Sequence, residues 1–213
     1  MLESVERVRA GFPDRVRLPL AFDPERLMAD LERIGEGDWV NHAVRQNYVG
    51  GWSVAPLRAA AGETHPLRLI YADPSAAEFV DTALLARTPY LAEVLGRLRC
   101  PLKSARLMRL SPGSEIKEHC DPDLDAELGT ARLHVPISTN DGVEFRLGGR
   151  PVAMAPGSLW YLRLTDPHSA ANRGASDRVH LVIDARMNDW LEEMLEKGFN
   201  PDSAAASARL PER

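Results

Sequence analysis

The sequence contains few cysteines and no long apolar run, and both absences exclude classes of protein. Only two cysteines, Cys100 and Cys120, occur in 213 residues, which excludes a disulfide scaffold and predicts a reducing compartment, the cytoplasm. No apolar stretch approaches the ~20 residues that a membrane-spanning helix needs. The N-terminal stretch MLESVERVRAGFPDRVRLPL has no apolar segment of the kind found in secretory signals. We therefore expect no contact with a membrane.

A block of positive charge is also absent. The net charge is −5, and the Lys and Arg residues are scattered along the chain, so nothing favours nucleic acid as a partner. Hydrophobic residues make up 44% and charged residues 27%, which is enough for an ordinary buried core. The length suits one domain, and nothing in the sequence predicts an oligomeric state.

The two halves of the chain differ in pattern. Asp23 followed by Pro24 predicts a helix start, and apolar residues continue at helical spacing until Gly35. From Pro101 onward the apolar runs become short and alternating, and Gly, Pro, Asn and Asp separate them. The predicted strands are SARLMRL, EIKEHC, ARLHVPIS, VEFRL, PVAMA, LWYLRL and RVHLVIDAR. Seven short strands at roughly ten-residue spacing predict an antiparallel sandwich or barrel.

These patterns predict one domain with a short tail. The expected parts are a mostly helical N-terminal portion (1–100), a barrel core (101–186), a C-terminal helix (187–198) and a weakly ordered tail (199–213). The predicted class is therefore mainly β with a helical N-terminal part.

The stretch EIKEHCDPD contains two metal-binding residue types two positions apart. In a strand, His119 and Asp121 point to one face and Cys120 to the other, where we expect it to be a small buried hydrophobe. His168 lies 47 residues after Asp121, a distance that lets a barrel return to the same place. Two imidazoles and a carboxylate are the facial triad of non-haem Fe(II) oxygenases. The alternative is a surface turn at His119 and Asp121.

Two of the predicted strands have apolar residues on one face and Arg and His on the other. The polar faces carry Arg132 and His134 in ARLHVPIS, and Arg178, His180 and Asp184 in RVHLVIDAR. In a barrel with a polar pocket, these faces point inward. Arg178 lies ten residues after His168, and a guanidinium holds a carboxylate through two hydrogen bonds.

The run RLHVPISTNDGVEF, PGSLWYL, PH and DRVHLVID resembles the aspartyl/asparaginyl β-hydroxylase family. The resemblance covers most of residues 104–186, and YVGGWSVAPLR near residue 50 also fits the family. It extends to bacterial members that hydroxylate free amino acids, such as the cis-4-proline hydroxylases. The family implies a double-stranded β-helix, a cupin-like jelly roll, that uses Fe(II), 2-oxoglutarate and O2.

The resemblance also implies roles for single residues. His119, Asp121 and His168 correspond to the iron ligands, and Arg178 to the residue that binds the distal carboxylate of 2-oxoglutarate. Arg132 and His134 match positions near the other carboxylate of the cosubstrate. Vertebrate members lack the acidic ligand, whereas Asp121 is present here. They also hold 2-oxoglutarate with a serine eleven residues before the first ligand, where this chain has Met108. The residue that would bind the distal carboxylate together with Arg178 is therefore left open.

The sequence thus predicts an Fe(II)/2-oxoglutarate-dependent dioxygenase that hydroxylates an amino acid, free or in a peptide. The alternatives are a metal-binding cupin-like sensor without turnover, and a zinc hydrolase or isomerase. Hydrolysis also needs a general base near the open metal position, and the sequence shows no clear candidate, although Glu118 and Asp166 are close in sequence. Purely structural roles of single residues also remain open. His134 is alternatively a core histidine with one backbone partner, and Arg178 is alternatively a salt-bridge partner of Asp177 or Asp184. Trp52 is alternatively a residue that only packs in the core.

Overall fold

The computed structural model describes residues 11–71 and 75–200. Thirteen strands and five helices occur in this part of the chain. The strands are β1 (Arg15–Ala21), β2 (Val40–Asn41), β3 (Tyr48–Val49), β4 (Trp52–Ala60), β5 (Phe79–Asp81), β6 (Leu102–Leu110), β7 (Ser114–His119), β8 (Thr130–Ser138), β9 (Val143–Leu147), β10 (Arg150–Pro151), β11 (Ser158–Leu162), β12 (His168–Asn172) and β13 (Arg178–Arg186). The helices are α1 (Pro24–Leu31), α2 (Pro66–Leu69), α3 (Ala83–Ala86), α4 (Pro89–Gly96) and α5 (Asp189–Lys197).

The strands form two antiparallel sheets. The larger sheet has the order β1-β11-β8-β13-β6-β4-β2, with β5 paired to β4, and the smaller has the order β10-β9-β12-β7-β3. Successive strands from β6 to β13 alternate between the sheets, except that β9 and β10 form a hairpin in the smaller one. This winding is a double-stranded β-helix, a cupin-like jelly roll, flanked by α-helices.

The larger sheet separates two apolar clusters. On its outer face, Leu133, Leu181 and Ile183 belong to the cluster that includes residues of all flanking helices except α2. The inner cluster joins residues of both sheets, among them Phe145 of β9 and Trp160 of β11. Because side chains alternate along a strand, the polar residues of β8 and β13 lie on the inner side. The predicted inward faces of these two strands are thus confirmed.

The N-terminal hundred residues correct one expectation. The predicted helix after Asp23 is present as α1, and the Asp23 carboxylate caps it by accepting the backbone N–H of Glu25. However, this region also contributes β1 to β5, so the prediction of a mostly helical portion is wrong. The reason is tertiary pairing, because β1 pairs with β11 and β4 with β6, which widens the larger sheet on both sides.

The C-terminal helix begins and ends where the sequence indicates. Asn188 accepts the backbone N–H of Leu191 at the start of α5, and Gly198 follows its last residue. Most of the predicted tail, from residue 201, lies outside the described residues. The extent of a single domain over residues 1–198 remains a prediction. Among the described helices, none combines the length and the apolar character that crossing a membrane requires.

Candidate active site

The pairing of β7 with β12 brings the two predicted histidines together. His119, the last residue of β7, lies opposite His168, the first residue of β12, and their ring centroids are 4.3 Å apart. Asp121 follows two residues later, and its backbone N–H donates to the carbonyl oxygen of Leu164 at 2.8 Å. One ligand atom from each of His119, Asp121 and His168 lies within 4.8 Å of the others. The structure therefore groups these three residues, which excludes an isolated surface turn.

Both imidazoles are oriented by backbone carbonyls. Nδ1 of His119 donates to the oxygen of Lys117 at 2.7 Å, and Nδ1 of His168 donates to the oxygen of Asp166 at 3.1 Å. Since a carbonyl oxygen only accepts, each Nδ1 carries the proton and each Nε2 keeps a lone pair for a metal. Burial, together with the nearby His119, lowers the pKa of His168 to about 4. This imidazole is therefore neutral at pH 7.

The carboxylate of Asp121 is held from behind by Arg132. Nη1 of Arg132 donates to Oδ2 of Asp121 at 2.7 Å, which leaves Oδ1 as the oxygen that can face a metal. The same guanidinium donates from Nε to Oδ1 of Asp184 at 2.6 Å and from Nη2 to Oδ2 at 3.0 Å. The structure thus places Arg132 beside a candidate ligand, and its predicted contact with the cosubstrate remains a prediction.

Asp184 is the buried centre of this network. Its Oδ2 also accepts from Nη2 of Arg106 at 3.1 Å and from the hydroxyl of Ser104 at 2.9 Å. Burial alone would raise the pKa of Asp184, but the guanidinium groups of Arg132 and Arg106 and the Ser104 hydroxyl hold it well below its usual range. Asp184 is therefore an anion that compensates two buried arginines and fixes the one that holds Asp121.

Arg178 lies in the same cavity without a compensating acid. Its side chain is 3% exposed, and no ion pair of Arg178 occurs within residues 11–71 and 75–200. Its Nε has no hydrogen-bond partner, while Nη2 donates to Nδ1 of His180 at 2.9 Å. Burial lowers the pKa of Arg178 to about 10, so it is still a cation at pH 7. The alternative of a salt bridge to Asp177 or Asp184 is wrong, because Asp184 pairs with Arg132 and Arg106.

His134 is a second buried polar group that lacks a partner. It is 5% exposed, and neither ring nitrogen makes a hydrogen bond in the structure. Burial and the charges of Arg178 and Arg132 lower the pKa of His134 well below 6.5, so the ring is neutral. A core histidine with one backbone partner, the alternative from the sequence, does not fit this environment. Leaving a buried donor or acceptor unpaired costs about 1–3 kcal/mol, which indicates a site for a polar ligand.

The three candidate metal ligands line one cavity of about 310 Å³ together with Arg132, His134, Arg178 and Asp184. Its polar lining comprises His42, Asn47, Trp52, Lys103, Arg106, His119, Asp121, Asp123, Thr130, Arg132, His134, His168, Ser169, Arg178 and Asp184. Apolar residues such as Ile116, Leu124 and Phe145 complete the wall. Trp52 therefore both packs in the inner cluster and lines the cavity.

His42 is the cavity residue that the sequence did not single out. Its ring stacks on Trp52 with centroids 3.6 Å apart, and its Nδ1 accepts the backbone N–H of Val44 at 3.3 Å. Burial and the charge of Arg106 lower the pKa of His42 to about 4, so the ring is neutral. No local pattern reveals this position, because His42 follows the two-residue strand β2 and is held beside the cavity by contacts with β4, namely the ring stacking and a backbone hydrogen bond to the oxygen of Trp52 at 2.9 Å.

Cys120 corrects another expectation. The side chain is exposed and not buried behind the site, and Cys120 is not one of the three candidate metal ligands. The reason is that Cys120 directly follows β7 of the smaller sheet, and the outward residues Glu115 and Lys117 of this strand are also exposed.

Substitution of Cys120 should accordingly have little effect. We expect Cys120→Ala to retain its affinity for Fe(II) and to change the free energy of unfolding by no more than about 0.5 kcal/mol, because the thiol is exposed. Anaerobic metal dialysis and urea unfolding measure the two quantities. Loss of the metal in this variant would show coordination by the thiolate and contradict the triad.

Comparisons with known proteins find a matching family and curated relatives. Residues 24–187 match the family Aspartyl/Asparaginyl beta-hydroxylase. The chain is 28% identical over 183 residues to an L-proline cis-4-hydroxylase of Rhizobium meliloti (strain 1021), covering 84% of this chain and 63% of that protein. It is 25% identical over 205 residues to L-proline cis-3-hydroxylase 2 of Streptomyces sp, covering 91% and 68%. The chain thus spans less than two thirds of the first of these relatives.

A solved structure supports the fold. An oxidoreductase of the 2OG-Fe(II) oxygenase family from Burkholderia pseudomallei superimposes with a TM-score of 0.51 at 20% sequence identity. The superposition covers 82% of this chain and 86% of that one. At 20% sequence identity, this similarity shows a shared fold and nothing more.

Proposed function

Because the chain belongs to the aspartyl/asparaginyl β-hydroxylase family, we propose that it is an Fe(II)/2-oxoglutarate-dependent dioxygenase that hydroxylates an amino acid. One observation carries the proposal. One cavity is lined both by three side chains that could hold a metal ion and by a buried arginine, Arg178. This arginine has no acidic partner among the described residues. The cluster suits a metal, and Arg178 suits the far carboxylate of a dicarboxylic cosubstrate.

The residues fit Fe(II). His119, Asp121 and His168 offer two imidazole nitrogens and one carboxylate oxygen, the donor set of non-haem Fe(II) oxygenases, and three protein ligands leave coordination positions open. When bound, iron with 2-oxoglutarate and O2 supplies the oxidation that yields succinate, CO2 and a hydroxylated product. The protein then has to position the reactants and exclude water.

The chain's own residues provide the cosubstrate site. Arg178 would bind the distal carboxylate, which, once removed from water, requires a fixed cation. His134 would donate a hydrogen bond to the carboxylate nearer the metal, which gives its ring the partner it lacks. Arg132 would keep Oδ2 of Asp121 engaged, so that the carboxylate binds the metal through one oxygen. In this proposal His119, Asp121 and His168 would hold the metal, and Arg178 and His134 would bind the cosubstrate. Arg132 would fix Asp121, and its direct contact with the cosubstrate remains a prediction.

The substrate that best fits the site is a small amino acid. A cavity of about 310 Å³ is at the lower end of the range for small-molecule pockets, which favours a free amino acid over a residue in a folded protein. The relatives named above act on L-proline, which makes L-proline the first compound to test. The stacked rings of His42 and Trp52 offer an apolar wall for such a substrate.

The alternatives fit less well. Neither Glu118 nor Asp166, the bases that a zinc hydrolase would need, lines the cavity, and Asp166 pairs with Arg163 at 2.9 Å. A metal sensor without turnover does not require a buried cation, such as Arg178, in the same cavity as the three candidate metal ligands. Both observations favour the oxygenase.

The compartment and the partners remain predictions from the sequence. A reducing cytoplasm agrees with the unpaired state of Cys100 and Cys120. We expect the amino acid substrate, and neither nucleic acid nor a membrane, to be the partner of this chain.

Turnover measurements test the proposed function. The protein, Fe(II), ascorbate and 2-oxoglutarate are incubated in air with L-proline, a panel of free amino acids or short peptides, and succinate and product masses are recorded. We expect substrate-dependent succinate and a product heavier by one oxygen atom, both absent without O2. Turnover that needs Zn(II) but not O2 would instead show a hydrolase or isomerase.

A further inference from the structure

The three arginines that line the cavity differ in their partners. Arg106 and Arg132 both bond to Asp184, which compensates their charge. Arg178 instead bonds to a neutral ring, because Nη2 donates to Nδ1 of His180 at 2.9 Å. Arg178 therefore keeps its full positive charge while one side of its guanidinium is fixed.

We propose that His180 is a positioning residue that orients the guanidinium of Arg178 toward the distal carboxylate of 2-oxoglutarate without neutralising it. This inference rests on the proposed function. It gives the guanidinium of Arg178 a hydrogen-bond partner, whereas the second residue that would contact the distal carboxylate stays open.

The hydrogen bond defines the protonation state of His180. A guanidinium only donates, so Nδ1 of His180 must accept and the ring proton is on Nε2. Burial, and then the charge of Arg178 and the nearby His134, lower the pKa of His180 well below 6.5. The ring therefore stays neutral at physiological pH and remains an acceptor.

The register partners of Arg178 and His180 offer no strong side-chain acceptor. Arg178 lies opposite Leu110 of β6, and His180 lies opposite Met108 of β6 and Pro136 of β8. On the remaining side, the ring of Phe145 lies 5.9 Å from Cζ of Arg178. The hydrogen bond to His180 is thus the directional contact that holds the guanidinium.

Packing alone does not fix this side chain. A second cavity of about 330 Å³ borders both Arg178 and His180, and Arg178 lines the first cavity as well. A guanidinium between two cavities has space to change its rotamer, and an orientation that changes lowers the affinity for a carboxylate. The bond to His180 limits this freedom before the cosubstrate arrives.

Three substitutions of His180 separate orientation from charge. His180→Leu removes the acceptor, His180→Asn places a neutral acceptor on the equivalent Cγ, and His180→Asp places an anionic acceptor there. Each variant is loaded with Fe(II) without O2 and titrated with 2-oxoglutarate or with pyruvate, which has no distal carboxylate. The charge-transfer absorption of the bound 2-oxo acid gives the dissociation constants.

The expected pattern is specific for the distal carboxylate. Relative to the native protein, His180→Leu should weaken 2-oxoglutarate binding about 3- to 10-fold, because the freed guanidinium must then be ordered on binding, at a cost of about 0.5–1.5 kcal/mol. His180→Asn should stay within about 2-fold of the native value, since it restores the acceptor. His180→Asp should bind 2-oxoglutarate at least about 10-fold more weakly than His180→Asn, because a second anion repels the carboxylate. Pyruvate and Fe(II) should bind all variants alike.

Several results would overturn the inference. Native affinity of His180→Leu for 2-oxoglutarate, or an equal loss for pyruvate, would show that His180 does not act through the distal carboxylate. If His180→Leu does not fold, the isosteric Asn and Asp variants decide, and equal affinities would refute the role of charge. A native protein that binds Fe(II) but not 2-oxoglutarate would overturn the proposed function as well, whereas the preceding outcomes leave that function intact.

Discussion

Replacing His168 with alanine should remove Fe(II) binding at this site, and with it all O2-dependent turnover. Loss of an outer hydrogen-bond partner of a metal ligand typically costs 10–100-fold in metal affinity, so loss of one of three ligands should cost more than about 100-fold. His119→Ala should behave in the same way, because its Nε2 is the equivalent donor. The fold should survive in both variants, since neither histidine belongs to the two apolar clusters.

Anaerobic equilibrium dialysis with Fe(II) measures this loss. His65→Ala is the matched control, because this exposed imidazole precedes α2 and does not line the cavity. We expect the control to bind Fe(II) like the native protein. Native Fe(II) affinity in either His119→Ala or His168→Ala would show that the triad assignment is wrong.

Replacing Arg178 with methionine should selectively weaken 2-oxoglutarate binding. Truncating one partner of a buried charge pair costs about 2–5 kcal/mol, which corresponds to a loss of roughly 30- to several thousand-fold in affinity. Fe(II) binding should remain nearly native, because Arg178 is not a ligand. Pyruvate, which lacks the distal carboxylate, should lose much less affinity than 2-oxoglutarate.

The control for this substitution is an arginine on the surface. Arg173→Met removes an exposed guanidinium that pairs with Glu144, and it lies five residues before Arg178. Competition of 2-oxoglutarate against pyruvate on the Fe(II)-loaded variants compares the two substitutions. Equal 2-oxoglutarate affinities of Arg178→Met and native protein would assign Arg178 a structural role and remove the main support for a 2-oxo acid site.

Local patterns predicted the strands that combine apolar alternation with clear turns. The strands β8 and β13 have apolar residues at every second position, so both the strands and their inward polar faces were predictable. The strand β12, HSAAN, has no such pattern and was missed, although it carries His168. It is a strand because both β7 and β9 pair with it. The closeness of His119 and His168 therefore depends on pairing that local sequence does not encode.

Contacts between residues far apart in the sequence explain two further features of the site that the sequence did not predict. Arg132 reaches Asp184, 52 residues away, and this contact places its guanidinium behind Asp121. The stacking of His42 on Trp52 likewise depends on the pairing of β2 with β4. Residue types and spacing thus predicted residues that line one cavity, whereas their hydrogen-bond partners follow from strand register.

The binding of a 2-oxo acid to a metal held by His119, Asp121 and His168 is most directly measured by an anaerobic absorbance titration. The native protein is mixed with Fe(II) and then titrated with 2-oxoglutarate. We expect a charge-transfer band that requires both components, saturates at one equivalent per chain and is absent in His168→Ala. A native protein that binds Fe(II) and develops no such band at saturating 2-oxoglutarate would contradict this site.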